Sequence, residues 1–332
     1  MEWLIEQILT LLGLSLLLLI AAAVLAPLES LGWWAGWTGK TPRLNDLDEE
    51  EIKQFSSDQQ PPPEKEHYVV YLSGIGVASA DGLATDEIDF IKQLTEIMPD
   101  AQIITDVFPY SVSNNPLTGQ RALSPLWRWV RHIQIKKPES LVVLILLNIR
   151  NMLQVTVCAD PRYGPIYSLG VAYEIARSLA RHGYRLGSHK PVFLIGFSGG
   201  GQVSVGSTTY LSPLIDAPVY ILSVGGVIAN DPGIRHVKHL THFFGEKDSV
   251  HKLGEILWMG RWPIMKQSAW NQAIAKGRIN FVDMGPMAHN AYGGYYDVRV
   301  SLPNGENYCV ATAGAIKNAV LAAGGEETKG VA

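Results

Sequence analysis

Cysteine is nearly missing from this chain. Cys158 and Cys309 are the only two among 332 residues, and no CxxC or Cys/His ligand spacing accompanies them. That count excludes a disulfide framework and a cysteine-based metal site, and a chain of this length buries a core without either staple. Charge is scarce as well. Only 17% of residues are charged, with 27 Lys and Arg against 31 Asp and Glu, a formal −4. Such a balance argues against a nucleic-acid binder, which needs a strongly basic surface. No internal repeat is visible, and an apolar content of 47% excludes a mainly disordered chain. Lys and Arg are missing altogether before Lys40.

The apolar residues are concentrated at the start. Ile8 to Ala26 is a run of 19 residues broken only by Thr10, Gly13 and Ser15, and Trp3, Leu4 and Ile5 extend it upstream. As a helix rising about 1.5 Å per residue, the run spans a hydrocarbon core of about 30 Å. Trp33, Trp34 and Trp37 follow, where an interfacial aromatic belt would lie. A cleaved signal peptide is the competing reading, with Ala21-Ala22-Ala23 as its cleavage site. It wants a basic leader and a short core, whereas Glu2 and Glu6 stand here and the core is long. A buried core helix fits poorly, because the run is apolar on every side. Residues 1–39 therefore read as one transmembrane anchor with an aromatic flank. Lys40 and Arg43 follow the span, which leans the bulk of the protein to the cytoplasmic side.

Residues 40–66 read as a linker, rich in Asp and Glu and closing on Gln59-Gln60-Pro61-Pro62-Pro63, a stiff extended segment. From His67 onward, short apolar runs alternate with helical spacing. Strands are expected at 68–72, 102–107, 192–195, 219–223, 239–244 and 279–284. Helices are expected at 85–98, near 125–135, 140–158 and 166–182, and within 305–322. Short apolar strands separated by helices predict an α/β domain over 67–332, with a mainly parallel sheet covered on both faces.

The sharpest chemical signal is Gly196-Phe197-Ser198-Gly199-Gly200, a G-x-S-x-G set at the end of Phe193-Leu194-Ile195 and the start of a helix. A nucleophilic serine on a strained strand-to-helix turn needs small flanking residues, here Gly196 and Gly200. Its hydroxyl then stands at a helix N-terminus, whose field favours developing negative charge. A glycine-rich turn with an incidental serine is the plain alternative, and the strand and helix context weighs against it.

Serine needs a base, and the base an acid. In nucleophile-elbow enzymes both follow the serine in chain order. The later histidines are His236, His239, His242, His251 and His289. His289 follows the strand at 279–284 in a loop and is the expected base. The spacing His236-x-x-His239-x-x-His242 resembles a ligand set, but odd separations along a strand point to opposite faces, so no metal is expected there. Asp248 sits just beyond the strand at 239–244 and is the expected acid. Asp231, after the preceding strand, is the alternative, and Glu246 reads as solvated.

An oxyanion hole calls for two backbone amides: Gly199, after the nucleophile, and Ile75, in the loop Ser73-Gly74-Ile75-Gly76 after the first strand. That loop has a rival meaning. Gly74-Ile75-Gly76-Val77-Ala78-Ser79 nearly matches the dinucleotide fingerprint G-x-G-x-x-G, with Glu96 about 20 residues on. Ser79 stands in place of its last glycine, and the next strand adds no supporting signature.

Taken together, the elbow at Ser198, Asp248, His289 and the Gly74 loop resemble the lipase and esterase branch of the α/β-hydrolase superfamily across residues 67–332. Ser73 replaces the histidine that lipases carry before this glycine. The resemblance implies a serine hydrolase that cleaves a carboxylic ester through an acyl-enzyme and without a cofactor; joined to the anchor at 1–39 it reads as membrane-anchored, with a lipid acyl ester as one candidate substrate. The alternative is a non-catalytic protein of the same fold that binds a ligand or partner. Only about 16 residues separate the strands at 219–223 and 239–244, too few for a large cap. The extra chain lies between 107 and 190, where Leu141–Leu147 reads as a core helix or, alternatively, as a membrane-facing wall of an acyl pocket.

Overall fold

The computed structural model describes residues 22–37, 63–117, 124–136 and 140–330, with a few scattered positions before residue 22. Six strands form one sheet: β1 (His67–Leu72), β2 (Ala101–Ile104), β3 (Val192–Phe197), β4 (Val219–Val224), β5 (Val237–Phe244) and β6 (Ile279–Asp283). Their order is β2-β1-β3-β4-β5-β6, and every pairing is parallel. All residues of β1, β3 and β4 are buried. Continuous apolar runs rather than alternating ones are what burial on both faces demands.

Nine helices accompany the sheet among the described residues: α1 (Leu28–Trp34), α2 (Thr85–Ile97), α3 (Ser124–Lys136), α4 (Leu141–Ala159), α5 (Gly164–Arg181), α6 (Gly199–Ile215), α7 (Leu253–Leu257), α8 (Ala269–Ala275) and α9 (Tyr308–Gly330). Two 3-10 turns, Pro232–Arg235 and Met259–Arg261, join them. Successive residues of a strand point to opposite faces, and β1 shows the result. Tyr68, Val70 and Leu72 enter a core with Val171 and Leu179 of α5 and Val203 of α6. Val69 and Tyr71 enter the other, with Phe90 and Leu94 of α2 and Ile316 of α9. Both faces are covered.

The sheet therefore has the expected parallel α/β character, with shifted boundaries. β2 stops at Ile104 rather than reaching 107, and α9 runs to Gly330 instead of ending near 322. Small elements at α1, α7 and α8 carry too few periodic residues to stand out in the sequence. The dinucleotide reading of Gly74-Ile75-Gly76 is not supported by the layout. That fingerprint requires a helix opening directly from the loop, whereas α2 begins only at Thr85.

No described helix is long and apolar enough to cross a membrane. The expected span at 8–26 lies for the most part outside the described residues, as does nearly all of the linker at 40–66. The chain that does emerge from it is docked on the domain. Gln154 Nε2 of α4 donates to Ala26 O at 3.3 Å, and Arg150 of α4 pairs with Glu29 of α1 at 2.7 Å.

Because all strands are parallel, the loops after β1, β3, β4, β5 and β6 emerge at one edge. The chain leaves β1 towards β2 on one side and β3 on the other. Crevices at such reversals are where open α/β sheets hold ligands.

Candidate active site

Ser198 follows β3 and precedes α6, with φ 52° and ψ −120°. A non-glycine residue there stores backbone strain of about 1–3 kcal/mol, and the turn is held on both sides. Ser198 N–H donates to Val224 O, and Ser198 O accepts from the N–H groups of Gly201 and Val227, each at 3.1 Å. The glycines are required by close approach. A Cβ on Gly196 would lie 2.6 Å from Gly201 Cα, and one on Gly200 would strike the Leu72 and Ser73 carbonyls.

The structure brings three of the singled-out side chains into one line. Ser198 Oγ lies 2.9 Å from His289 Nε2, and His289 Nδ1 lies 2.9 Å from Asp248 Oδ2. Asp248 is fully buried. Burial alone would raise its carboxyl, but the His289 partner and the bonds from the Tyr295 hydroxyl and Val250 N–H hold it below the usual carboxylate range. A buried, ionised carboxylate fixes the imidazole tautomer and favours the imidazolium that forms when Ser198 gives up its proton. Phe197 stacks on the His289 ring at 5.3 Å between centroids and 21° between planes.

Asp231 stands elsewhere. Its Oδ1 accepts from Gly233 N–H at 2.7 Å and its Oδ2 from Gln202 Nε2 at 2.6 Å, which ties the first 3-10 turn to α6. Burial pushes its carboxyl up. Glu246 is exposed. Among the described residues no cluster of His, Cys, Asp and Glu could hold a metal ion. His242 instead bonds Ser223 Oγ at 3.0 Å and lies 3.4 Å from His251 Nδ1, while His236 is exposed outside the strand. Burial pushes the Cys158 and Cys309 thiols up to about 12, which leaves them inert as nucleophiles.

The Ile75 loop lies against the nucleophile: a Cβ on Gly199 would meet Ile75 Cγ2 at 2.7 Å. Among the described residues, the N–H groups of Ile75 and Gly199 donate to no protein acceptor, so both are available to an oxyanion. Three side chains that no motif signals hold this loop. Tyr110 OH donates to Ser73 O at 2.7 Å, and Asn151 Nδ2 donates to the Ile75 and Val77 carbonyls, both at 2.7 Å. Glu87 accepts from Gly74 N–H at 3.2 Å and from Tyr71 OH at 2.8 Å. Gly74 is a glycine because Phe197 Cδ1 lies 2.9 Å from where its Cβ would be. α4 thus serves as a wall of the site. Asn151 and Leu147 are buried within it, while Ile145 and Met152 are exposed.

Two further contributors are legible only in three dimensions. Tyr295 OH donates to Asp248 Oδ2 at 2.7 Å and accepts from Gly245 N–H at 2.8 Å. Gly225, at φ +54°, leaves the room the acid needs, since a Cβ there would lie 2.7 Å from Asp248 Oδ2. Ser198 and His289 open onto a cleft of ≈ 890 Å³ walled by Ile75, Leu83, Arg131, Asn148, Phe197 and Val250. This is room for an ester of moderate size.

A hydroxyl aligned with an imidazole and a buried carboxylate, beside two unengaged amides and an open cleft, can form and cleave an acyl-serine. Comparison of the chain with protein-family models, with curated proteins and with solved structures finds no match.

Proposed function

We propose that the protein is a serine hydrolase of the α/β-hydrolase kind, held at a membrane by its first segment and cleaving carboxylic esters. The observation that carries this reading is the Ser198–His289–Asp248 line, with both contacts at 2.9 Å on a strained elbow. Ser198 Oγ attacks the ester carbonyl and passes its proton to His289 Nε2. The tetrahedral oxyanion is received by the N–H groups of Gly199 and Ile75. His289 then protonates the leaving alkoxide. Water, deprotonated by the same imidazole, releases the acid and restores the hydroxyl. Every proton is carried by the chain's own groups, so the scheme needs no cofactor.

A fluorophosphonate probe tests the reading. It should label the intact chain and fail to label Ser198→Ala. An unlabelled intact chain would instead favour a binding protein built on the same fold.

The substrate proposed is an ester resident in the membrane, such as a glycerolipid. Support comes from the apolar run at 8–26, the docking of Ala26 and Glu29 on α4, and the exposed apolar side chains of α4. Each buried methylene contributes up to about 0.8 kcal/mol, so kcat/KM should rise severalfold with each step from acetate through the short-chain esters. A preference for acetate that collapses beyond butyrate would leave a small-ester hydrolase. We assign the domain to the cytoplasmic side because Lys40 and Arg43 follow the apolar run and no Lys or Arg precedes it, so protease added there should cut within 40–66.

A further inference from the structure

Segment 253–265, directly after the acid-bearing loop, is built inside out. Ile256, Leu257, Met259 and Ile264 are each 60–77% exposed, and Trp262 and Met265 are exposed beside them. One cation meanwhile points inward, and side-chain hydrogen bonds hold the segment's backbone. The Arg261 guanidinium is buried, lies 3.7 Å from the Trp270 ring centroid and donates to Ile228 O at 2.9 Å. Asn271 Nδ2 donates to the carbonyls of Trp262 and Met265, and Trp262 Nε1 donates to Glu255 O. A water-facing loop would present the opposite arrangement. Soluble surfaces seldom gather so many large apolar side chains unless something covers them.

Three observations identify the cover. Residues 252–266 hold Lys252, Arg261 and Lys266 against Glu255 alone, a net +2 within a chain of −4. Lys252 and Lys266, which flank the segment, are exposed, the pattern that suits an anionic lipid surface. Second, the segment begins three residues after Val250, which lines the catalytic cleft. Third, the chain arriving from the apolar run is docked at this same edge of the sheet. Ala26 O meets Gln154 on α4, and the next residue, Val155, reaches to 2.8 Å from where a Cβ on Gly199 would sit.

We infer that segment 253–265 is a second membrane contact: its apolar side chains enter the interface of an anionic bilayer, its lysines meet the headgroups, and the Ser198 cleft is thereby held against the membrane. The inference rests on the membrane attachment proposed above and is independent of the triad.

The test uses the full chain reconstituted in vesicles of phosphatidylcholine doped with phosphatidylglycerol. An environment-sensitive fluorophore is placed on Ile264→Cys or, as the control, on Asp100→Cys, which precedes β2 at the opposite edge. Native Cys158 and Cys309 are buried and will not compete for the label. Lipids carrying a spin label should quench the fluorophore at 264 severalfold more than at 100. Equal, weak quenching in vesicles that float with the protein overturns the contact. So does protection from aqueous iodide without lipid quenching, which would assign the cover to residues 40–66 or to a second copy. A chain that does not float overturns both the attachment and the contact. In activity, the double variant Ile256→Ser, Ile264→Ser should lose severalfold on a bilayer-resident ester and nothing on a soluble short-chain ester. If the parent hydrolyses neither ester, the hydrolase reading fails and the quenching result still decides the contact.

Discussion

Tyr295 donates its hydroxyl to Asp248 Oδ2 at 2.7 Å, onto the same oxygen that meets His289 Nδ1. That oxygen is therefore clamped by two donors, and burial keeps the phenol far above its usual range, so it remains a donor at every working pH.

Removing that clamp should be felt in catalysis more than in folding. Tyr295→Phe keeps the ring, loses the bond from Gly245 N–H, and loses one bond to a charged group, which costs about 1.5–3 kcal/mol where it acts. kcat should fall about ten- to a hundredfold. Asp248 is held low partly by this bond, so its protonation moves up and the acid limb of the pH–rate profile should shift to higher pH. An unchanged limb would show that the bond does not tune the acid.

The two candidate acids separate cleanly. Asp248→Asn should cost about 10⁴ in kcat, because the amide stabilises neither the required tautomer nor the imidazolium. Asp231→Asn should keep turnover and lower the melting temperature, since Asp231 holds Gly233 and Gln202 rather than His289. Steady-state kinetics beside thermal melts of both variants decide the matter.

Gly225 tests the packing around the acid. Gly225→Ala would set a methyl 2.7 Å from both Asp248 Oδ2 and the Tyr295 ring, at a backbone φ of +54° that disfavours a side chain. A loss of about 10² or more in kcat, with the sheet intact by circular dichroism, is the expected result. Near-normal turnover would mean that the acid has room to move.

Acid should weaken the fold through His242. Burial, followed by the charges of Arg261 and His251, pushes it from 6.5 down to about 3. Between those values the unfolded chain binds a proton that the folded one refuses. Stability is therefore lost as pH falls through that window, by at most about 1.4 kcal/mol per pH unit. Denaturant melts near neutrality and near pH 5 should show the loss, and His242→Gln should reduce it. An identical loss in the variant would assign the effect elsewhere.

Strand runs such as Val69-Val70-Tyr71-Leu72 are legible because a strand buried on both faces must be apolar throughout, whatever its neighbours. The elbow is legible for a similar reason at Gly196, which answers a clash with Gly200 and Gly201 a few residues away, whereas Gly200 makes room for the Leu72 and Ser73 carbonyls far along the chain. His289 and Asp248 were reachable by chain order and by their place after a strand. Glu87, Tyr110, Asn151 and Gly225 were not, because each acts on a loop distant in sequence, and no local period marks a residue whose partner is far along the chain. The length of α9 was also hidden, since residues 322–330, small or charged, carry no apolar stripe.

By itself, then, the sequence determined that parallel strands alternate with helices and that a strained serine closes the third strand, because both follow from local sterics and from apolar runs. Only the tertiary structure decided that Asp248 rather than Asp231 meets His289. Both aspartates follow neighbouring strands and look alike in one dimension. Gly225, Tyr295 and the register of β4 against β5 determine which carboxylate reaches the imidazole.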